Sequence, residues 1–186
     1  ADGANVAWTE ESSSSLVPVL ATIRSILLAD AQGGGKWTRE HGRYQALLEP
    51  LGKLIKSHIP STFCPPDSSE SAYEYVVEQN SRGNVVECLT ALALAAGDEQ
   101  LWKPLNHAVL DACGNSSRPE VRKAGVVCLL SLIRTLGEEY MVLLPECLPV
   151  LSELLEDENE VVTGLARDAV TTAEDLLGES LDNDLK

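Results

Sequence analysis

The side chains best suited to catalysis and metal binding are few in this sequence and are scattered along it. The three histidines form no H-x-x-x-H pair; they are His41, His58 and His107. The five cysteines form no C-x-x-C pair; they are Cys64, Cys88, Cys113, Cys128 and Cys147. Zinc sites usually draw on such close pairs, so the sequence predicts no metal site. Four of the cysteines lie in apolar helical runs, which favours reduced core thiols and a reducing, intracellular compartment.

Phosphate-binding loops and nucleophile motifs are also missing from the sequence. The run Gly33–Gly35 has no strand before it and no Lys-Ser or Lys-Thr after it, so we interpret it as a linker. No G-x-S-x-G elbow occurs. We therefore expect no catalytic residue, no cofactor and no enzymatic activity.

Two features are candidates for partner binding. Arg118, Arg122 and Lys123 surround a predicted turn between two helices, where they are either ordinary surface charge or a contact to an acidic partner or RNA phosphate. Trp102 lies in the unusual hexamer LWKPLN, Leu101–Asn106. A tryptophan there either anchors a partner or, more commonly, packs against a neighbouring repeat.

The negative charge of the chain is concentrated at one end. The net charge is −15, and residues 137–186 hold 14 acidic and 2 basic residues, or −12. Residues 1–136 hold 15 acidic and 12 basic residues, or −3. A surface of that sign repels phosphate backbones, so the last fifty residues are a poor nucleic-acid site. They are either a solvated acidic face or a docking face for a basic partner.

The composition indicates packed helices and no membrane span. The 186 residues are 44% apolar but only 4% aromatic, which suits helix-on-helix packing. The most apolar run, Ser15–Ala31, is interrupted by Pro18, Arg24 and Asp30. The sequence begins with Ala1 rather than Met, which favours a portion of a longer protein.

A helical pattern repeats with an offset of about forty residues. The apolar spacing predicts a first pair of helices over Asp98–Gly114 and Glu120–Gly137. It predicts a second pair over Glu138–Asp157 and from Asp157 to Gly178. Pro104 aligns with Pro145 at an offset of 41. This period lies within the range of HEAT and armadillo repeats.

Spacing of polar residues predicts where these helices begin and end. Ser117 with Glu120, and Asp157 with Glu160, have the spacing of capping boxes. Gly178 is placed to end the last helix.

The N-terminal half continues the pattern less regularly. We predict helices over Ser15–Ala31, Gly42–Ile59 and Asn84–Gly97, about seven helices in antiparallel pairs in the whole chain. The predicted organisation is a flexible arm at residues 1–14, HEAT-like repeats at 15–178 with a long loop near 59–71, and a polar tail at 179–186.

Two prolines four residues apart, Pro145 and Pro149, are unusual in a helix because each lacks the backbone N–H. One interpretation is a single bent helix, as is common in the first helix of HEAT units. The other is that Pro145 begins a helix and Met141–Leu144 forms a separate turn.

Four segments resemble one family. They are GDEQLWKPLNHAVL, SSRPEVRKAG, LGEEYMVLLPECLPVLSELLEDENEVV and LLGESL, within about Ala96–Leu181. They resemble the C-terminal region of the large HEAT-repeat protein of the small-subunit processome, a member of its UtpA (t-UTP) subcomplex.

The resemblance implies a nucleolar scaffold without catalytic residues. Its expected partners are other UtpA and processome proteins, with an indirect or weak contact to pre-ribosomal RNA and snoRNP. It implies a role in processing pre-ribosomal RNA toward the small-subunit RNA, and in ribosomal DNA transcription. Two alternatives stay open: binding of leader RNA by the Arg118, Arg122 and Lys123 ridge, and a generic HEAT or armadillo adaptor.

Overall fold

Every regular element in the described part of the chain is a helix. The computed structural model describes residues 10–57, 85–114, 117–181 and 185. Seven α-helices and one 3-10 helix lie within these ranges: α1 (Glu10–Gln32), α2 (His41–Ser57), α3 (Val85–Ala96), α4 (Glu99–Gly114), α5 (Pro119–Leu136), the 3-10 helix (Gly137–Leu143), α6 (Leu144–Leu155) and α7 (Glu160–Leu177).

The helices form two parallel rows. In one row α1 packs against α3, α3 against α5, and α5 against α7; in the other, α2 packs against α4 and α4 against α6. Short turns make α4–α5 and α6–α7 antiparallel hairpins, and α2 packs on α3. This arrangement confirms the predicted all-α, HEAT-like α-solenoid.

A glycine lets the two helices of the middle hairpin approach closely. Gly125 of α5 faces Cys113 of α4, and a Cβ atom at Gly125 would lie 2.8 Å from both the Cys113 amide nitrogen and its Sγ. One of these atoms belongs to the backbone, so the clash cannot be relieved by rotating a side chain. The packing distance of α4 and α5 therefore depends on this glycine.

The predicted single helix over Glu138–Asp157 is wrong. The 3-10 helix Gly137–Leu143 precedes α6, so Pro145 lies in the first turn of α6, where its missing N–H loses no helical partner. The interpretation that Pro145 begins a helix is thus confirmed. Pro149 does lie inside α6 and deprives the Pro145 carbonyl of its helical donor. The apolar spacing runs through both helices, which is why it did not reveal the break.

The capping residue of α7 differs from the prediction. Asn159, not Asp157, is the N-cap, and its side-chain oxygen accepts two backbone N–H bonds of the first turn. Asp157 accepts the Asn159 N–H instead, at 2.8 Å. Gly178 ends the helix in the left-handed conformation, φ 72°, as predicted.

The predicted capping box of α5 is wrong too. The N-cap position is held by Arg118, not Ser117, and no side chain caps the helix there. Pro119 occupies the first turn and already lacks one N–H that a cap would satisfy. Glu120 therefore has no reciprocal partner in a capping box.

Ordered contacts begin earlier and end later in the chain than the sequence predicted. α1 begins at Glu10 rather than Ser15, and residues 1–9 and the predicted loop near 59–71 lie outside the described residues. In the predicted polar tail, Leu181 is buried, and its N–H donates to Glu174 of α7 at 2.8 Å.

Replacing Gly125 by alanine tests the close approach of α4 and α5. We expect Gly125→Ala to lower the free energy of unfolding by about 1–3 kcal/mol, because the added methyl group forces the helices apart. Alanine normally stabilises a helix relative to glycine, so the steric effect has to overcome that gain.

Gly164 of α7 is the matched control, since a Cβ there meets nothing within 4 Å. Gly164→Ala should raise the free energy of unfolding slightly, by up to about 1 kcal/mol. Urea denaturation of both variants measures this, and equal effects of the two substitutions would contradict the packing argument.

Candidate interaction surfaces

Arg122 is engaged in an ion pair with Asp157. Its Nε and Nη2 donate to the two carboxylate oxygens at 2.6 and 2.9 Å, and the two side chains are only 16% and 7% exposed. Burial by itself raises the pKa of Asp157, but the hydrogen bonds from Arg122 and the Asn159 N–H outweigh it and hold that pKa below its ordinary value. The pair joins the first turn of α5 to the turn before α7.

The other two residues of the predicted basic ridge differ in exposure. Lys123 is 5% exposed, whereas Arg118 is exposed and donates to the backbone carbonyl of Lys56 at the end of α2. Lys56 in turn pairs with Asp111 of α4. The three predicted residues lie together at one turn but present one exposed guanidinium rather than a continuous basic surface. Partner binding by them stays a prediction.

Trp102 packs inside the protein. It is 4% exposed, and its indole N–H donates to the Ala93 carbonyl of α3 at 2.8 Å. This contact fits the interpretation of Trp102 as a packing residue between neighbouring helices. The exposed tryptophan of the described residues is Trp37, at 42%.

A buried polar cluster links the two most distinctive sequence motifs. Asn106 of LWKPLN is fully buried, and its side-chain oxygen accepts from the Tyr140 hydroxyl and, at 3.6 Å, from the Cys147 thiol. Its amide group donates to Glu146 at 3.3 Å. Burial raises the pKa of Tyr140 well above its ordinary value, so the phenol stays a hydrogen-bond donor. The cluster ties α4 to the 3-10 helix and α6.

Between Ser15 and Gln32 the outer face of α1 carries no charged side chain. We define it by the exposed residues that share this side of the helix: Ser15, Pro18, Val19, Thr22, Ser25, Ile26 and Ala29. Both charged residues of Ser15–Gln32 lie elsewhere, because Arg24 pairs with Glu87 of α3 at 2.7 Å and Asp30 accepts backbone N–H groups of the following turn.

The hydroxyl groups on this outer face are already bonded within the helix. Thr22 Oγ1 donates to the Pro18 carbonyl and Ser25 Oγ to the Ala21 carbonyl, both at 2.8 Å. The face can therefore be buried against an apolar surface without leaving these hydroxyls unpaired. By length and composition Ser15–Gln32 also passes as a membrane-crossing helix, a test that core helices and signal sequences pass as well.

The opposite end of the rows is covered and charged. Ser152 of α6 donates to the Leu185 carbonyl at 2.9 Å, so the tail lies across α6 and α7. Exposed residues of α7 include Arg167, Asp168 and Asp175. This end of the rows therefore presents a polar surface.

The described cysteines are core residues. Cys88, Cys113, Cys128 and Cys147 are buried and free, and burial raises the pKa of the Cys147 thiol to about 11 and that of Cys88 to about 12. Thiols in such surroundings are unreactive, because the thiolate is the nucleophile. In the same described ranges no group of three metal-ligating side chains comes together.

Sequence reasoning missed the outer face of α1 and the exposed Trp37. A signal for the first was present, because apolar, small and hydroxyl side chains recur every three or four residues on the side of Ser15–Ala29 opposite Leu20 and Leu27. The signal for the second was the run KWTRE after the glycines, which places an aromatic side chain between cations.

No family model matches the chain. Individual relatives do: the chain is 40% identical over 139 residues to HEAT repeat-containing protein 1 of Homo sapiens, covering 75% of this chain and 6% of that protein. It is 42% identical over 131 residues to the same protein of Danio rerio, covering 69% of this chain and 6% of that protein. It is 33% identical over 147 residues to U3 small nucleolar RNA-associated protein 10 of Chaetomium globosum, covering 75% of this chain and 8% of that protein. The chain thus spans less than a tenth of these homologues.

Removing the guanidinium of Arg122 tests the ion pair. We expect Arg122→Gln to lower the free energy of unfolding at about pH 7 by about 1–3 kcal/mol, because Asp157 stays buried without its cation. The lowered pKa of Asp157 stabilises the fold above the ordinary aspartate pKa, and this contribution is lost as the pH falls through the folded value.

The difference between wild type and Arg122→Gln should therefore shrink when urea denaturation is repeated at about pH 3. Lys53→Gln is the control, because Lys53 and Glu49 form an ion pair whose side chains are 73% and 70% exposed. That substitution should change stability little at either pH. A loss for Arg122→Gln that does not depend on pH would exclude the ion pair as its cause.

Proposed function

We propose that this protein is a non-enzymatic scaffold of the small-subunit processome that acts in ribosome biogenesis. Its homologues include HEAT repeat-containing protein 1 and U3 small nucleolar RNA-associated protein 10, and its helices form the HEAT-like solenoid that such a role requires. In this proposal it supports processing of pre-ribosomal RNA in the nucleolus, within the UtpA subcomplex. Because it spans only a small share of its homologues, the partners of the whole protein belong to the proposal as well.

The observation that carries this proposal is the uncharged outer face of α1. In the row of α1, α3, α5 and α7, each later helix is covered by the helix before it and by a helix of the second row. Within the described residues the outer face of α1 has neither neighbour. It instead exposes Val19 and Ile26 at 53% and 54%. A repeat protein buries such a face by stacking another repeat against it.

The partner that fits this face is an α-helical hairpin of the same repeat type. The small side chains Ser15, Ser25 and Ala29 allow a helix backbone to approach closely, while Val19 and Ile26 supply apolar area. A charged peptide would find no opposite charge there. Protein docking therefore explains the outer face of α1 better than nucleic-acid binding at that face does.

Two other functions have less support. Leader-RNA binding by the predicted basic ridge needs several accessible cations, yet Arg122 is held by Asp157 and Lys123 is 5% exposed. A generic HEAT or armadillo adaptor would explain the fold but not the identity shared with processome-associated homologues.

An affinity purification tests the scaffold function and the docking face together. The chain is used to capture proteins from a nuclear extract, with and without RNase, and bound proteins are identified by mass spectrometry. We expect processome proteins to remain after RNase treatment. Ile26→Glu should reduce their recovery at least ten-fold, because a carboxylate buried in an apolar contact stays unpaired.

Val142→Glu is the matched control, since Val142 is 52% exposed on the 3-10 helix, away from α1. It should retain the bound proteins. Equal recovery with both variants would remove the α1 face from the proposal, and recovery of transport receptors in place of processome proteins would overturn the scaffold function itself.

A further inference from the structure

The turn between α1 and α2, residues 33–40, places an exposed tryptophan among cations. Trp37 is 42% exposed, ten times the exposed fraction of Trp102, which is 4% exposed. Lys36 and Arg39 flank it in the turn, and Arg43 follows in the first turn of α2.

The backbone of this turn is fixed by contacts on both sides. The carboxylate of Asp30 accepts the N–H groups of Trp37 and Thr38 at 3.1 and 2.9 Å. Gly35 lies with φ 69° so close to α3 that a Cβ atom would be 2.0 Å from the Ala95 carbonyl oxygen. Only glycine fits there, and the turn is held against the end of α3. The tryptophan is therefore presented in one position rather than on a loose loop.

The cations around the ring are also positioned. Arg39 donates from Nε to the Ala96 carbonyl at 2.7 Å and from Nη2 to the Gly97 carbonyl at 3.4 Å, so backbone carbonyls hold it in place. The Asp30 carboxylate also attracts it electrostatically. The Arg43 guanidinium lies 5.2 Å from the centre of the Trp37 ring and pairs with Glu40. Arg43 thus covers one face of the ring.

The charge of this region contrasts with the rest of the protein. Residues 36–56 contain five basic and two acidic residues, whereas residues 137–186 carry −12. Lys36 is exposed and makes no ion pair with the part of the chain that the structure describes. The two acidic residues close to the turn are already engaged: Asp30 accepts backbone N–H groups of the turn, and Glu40, directly before α2, pairs with Arg43.

We propose that this turn binds single-stranded RNA. A base stacks on the face of Trp37 turned away from Arg43, and the adjoining phosphates contact Lys36 and Arg39. Base stacking on an aromatic ring does not depend on the identity of the base. The site would therefore recognise the phosphate backbone and any unpaired base, without a sequence preference. A fixed ring with cations beside it suits this ligand better than an acidic peptide, which needs no stacking surface.

This site is independent of the outer face of α1 and goes beyond the proposed scaffold function. Protein docking at α1 could fail while RNA still binds at Trp37, and the reverse also holds. The two are distinguished because RNA binding is measured with the purified chain and no other protein.

Fluorescence anisotropy with a labelled oligo-uridine tests the proposal. We expect binding at low salt that weakens as salt is raised, since phosphate contacts release counterions. Trp37→Ala should weaken binding by about ten-fold or more, and Trp37→Phe should restore most of it, because phenylalanine keeps a stacking face. Circular dichroism melting of each variant checks that the fold is intact.

Charge reversal at matched positions separates a local site from general attraction. Lys36→Glu should weaken binding and flatten its salt dependence, whereas Lys53→Glu, an exposed cation further along α2, should have a much smaller effect. Duplex RNA should bind more weakly than the single strand, because its bases are not available for stacking.

Several results would overturn the proposal. These are no binding at low salt, equal binding by wild type and Trp37→Ala, equal effects of the Lys36 and Lys53 substitutions, or equal binding of single-stranded and duplex RNA. Tighter binding of a polyglutamate peptide than of oligo-uridine would assign the turn to an acidic protein partner instead.

Discussion

The buried amide of Asn106 fixes how one repeat follows the next. A fully buried polar side chain is stable only when its donors and acceptors are paired, and the partners of Asn106 in the described structure come from the next repeat. Tyr140 and Glu146 can reach it together only if the 3-10 helix and α6 lie in one register on α4.

Much of the fold could be predicted because local patterns agree with the packing. The offset of Pro104 and Pro145, the apolar spacing of each helix and the final Gly178 all point to paired helices, and paired helices are what the structure contains. The break before α6 could not be located in the same way. Apolar spacing continues across it, and only the position of Pro145 in the first turn separates the 3-10 helix from α6.

The surfaces were harder to predict because they depend on pairs distant in sequence. Arg122 and Asp157 are 35 residues apart, and nothing local marks the arginine as already bound. Lys123 of α5 is also buried, and nothing local in the sequence marks it as inaccessible. Conversely, the glycine run before Trp37 suggested a loose linker, whereas Asp30 and the end of α3 hold that turn in place. A short basic motif therefore says little about accessibility until its partners are known.

The two ends of the solenoid differ in a way that gives assembly a direction. The end formed by α6, α7 and the tail is covered and strongly acidic, so a second acidic end would be repelled from it. Over Ser15–Ala29 the outer face of α1 exposes no charged side chain, and the hydroxyl groups of Thr22 and Ser25 are bonded within the helix. The turn with Trp37 lies at the α1 end of the rows, and residues 36–56 contain five basic and two acidic residues. Protein stacking and RNA contact would therefore both be confined to the end least affected by the acidic field, leaving the other end to keep the assembly soluble.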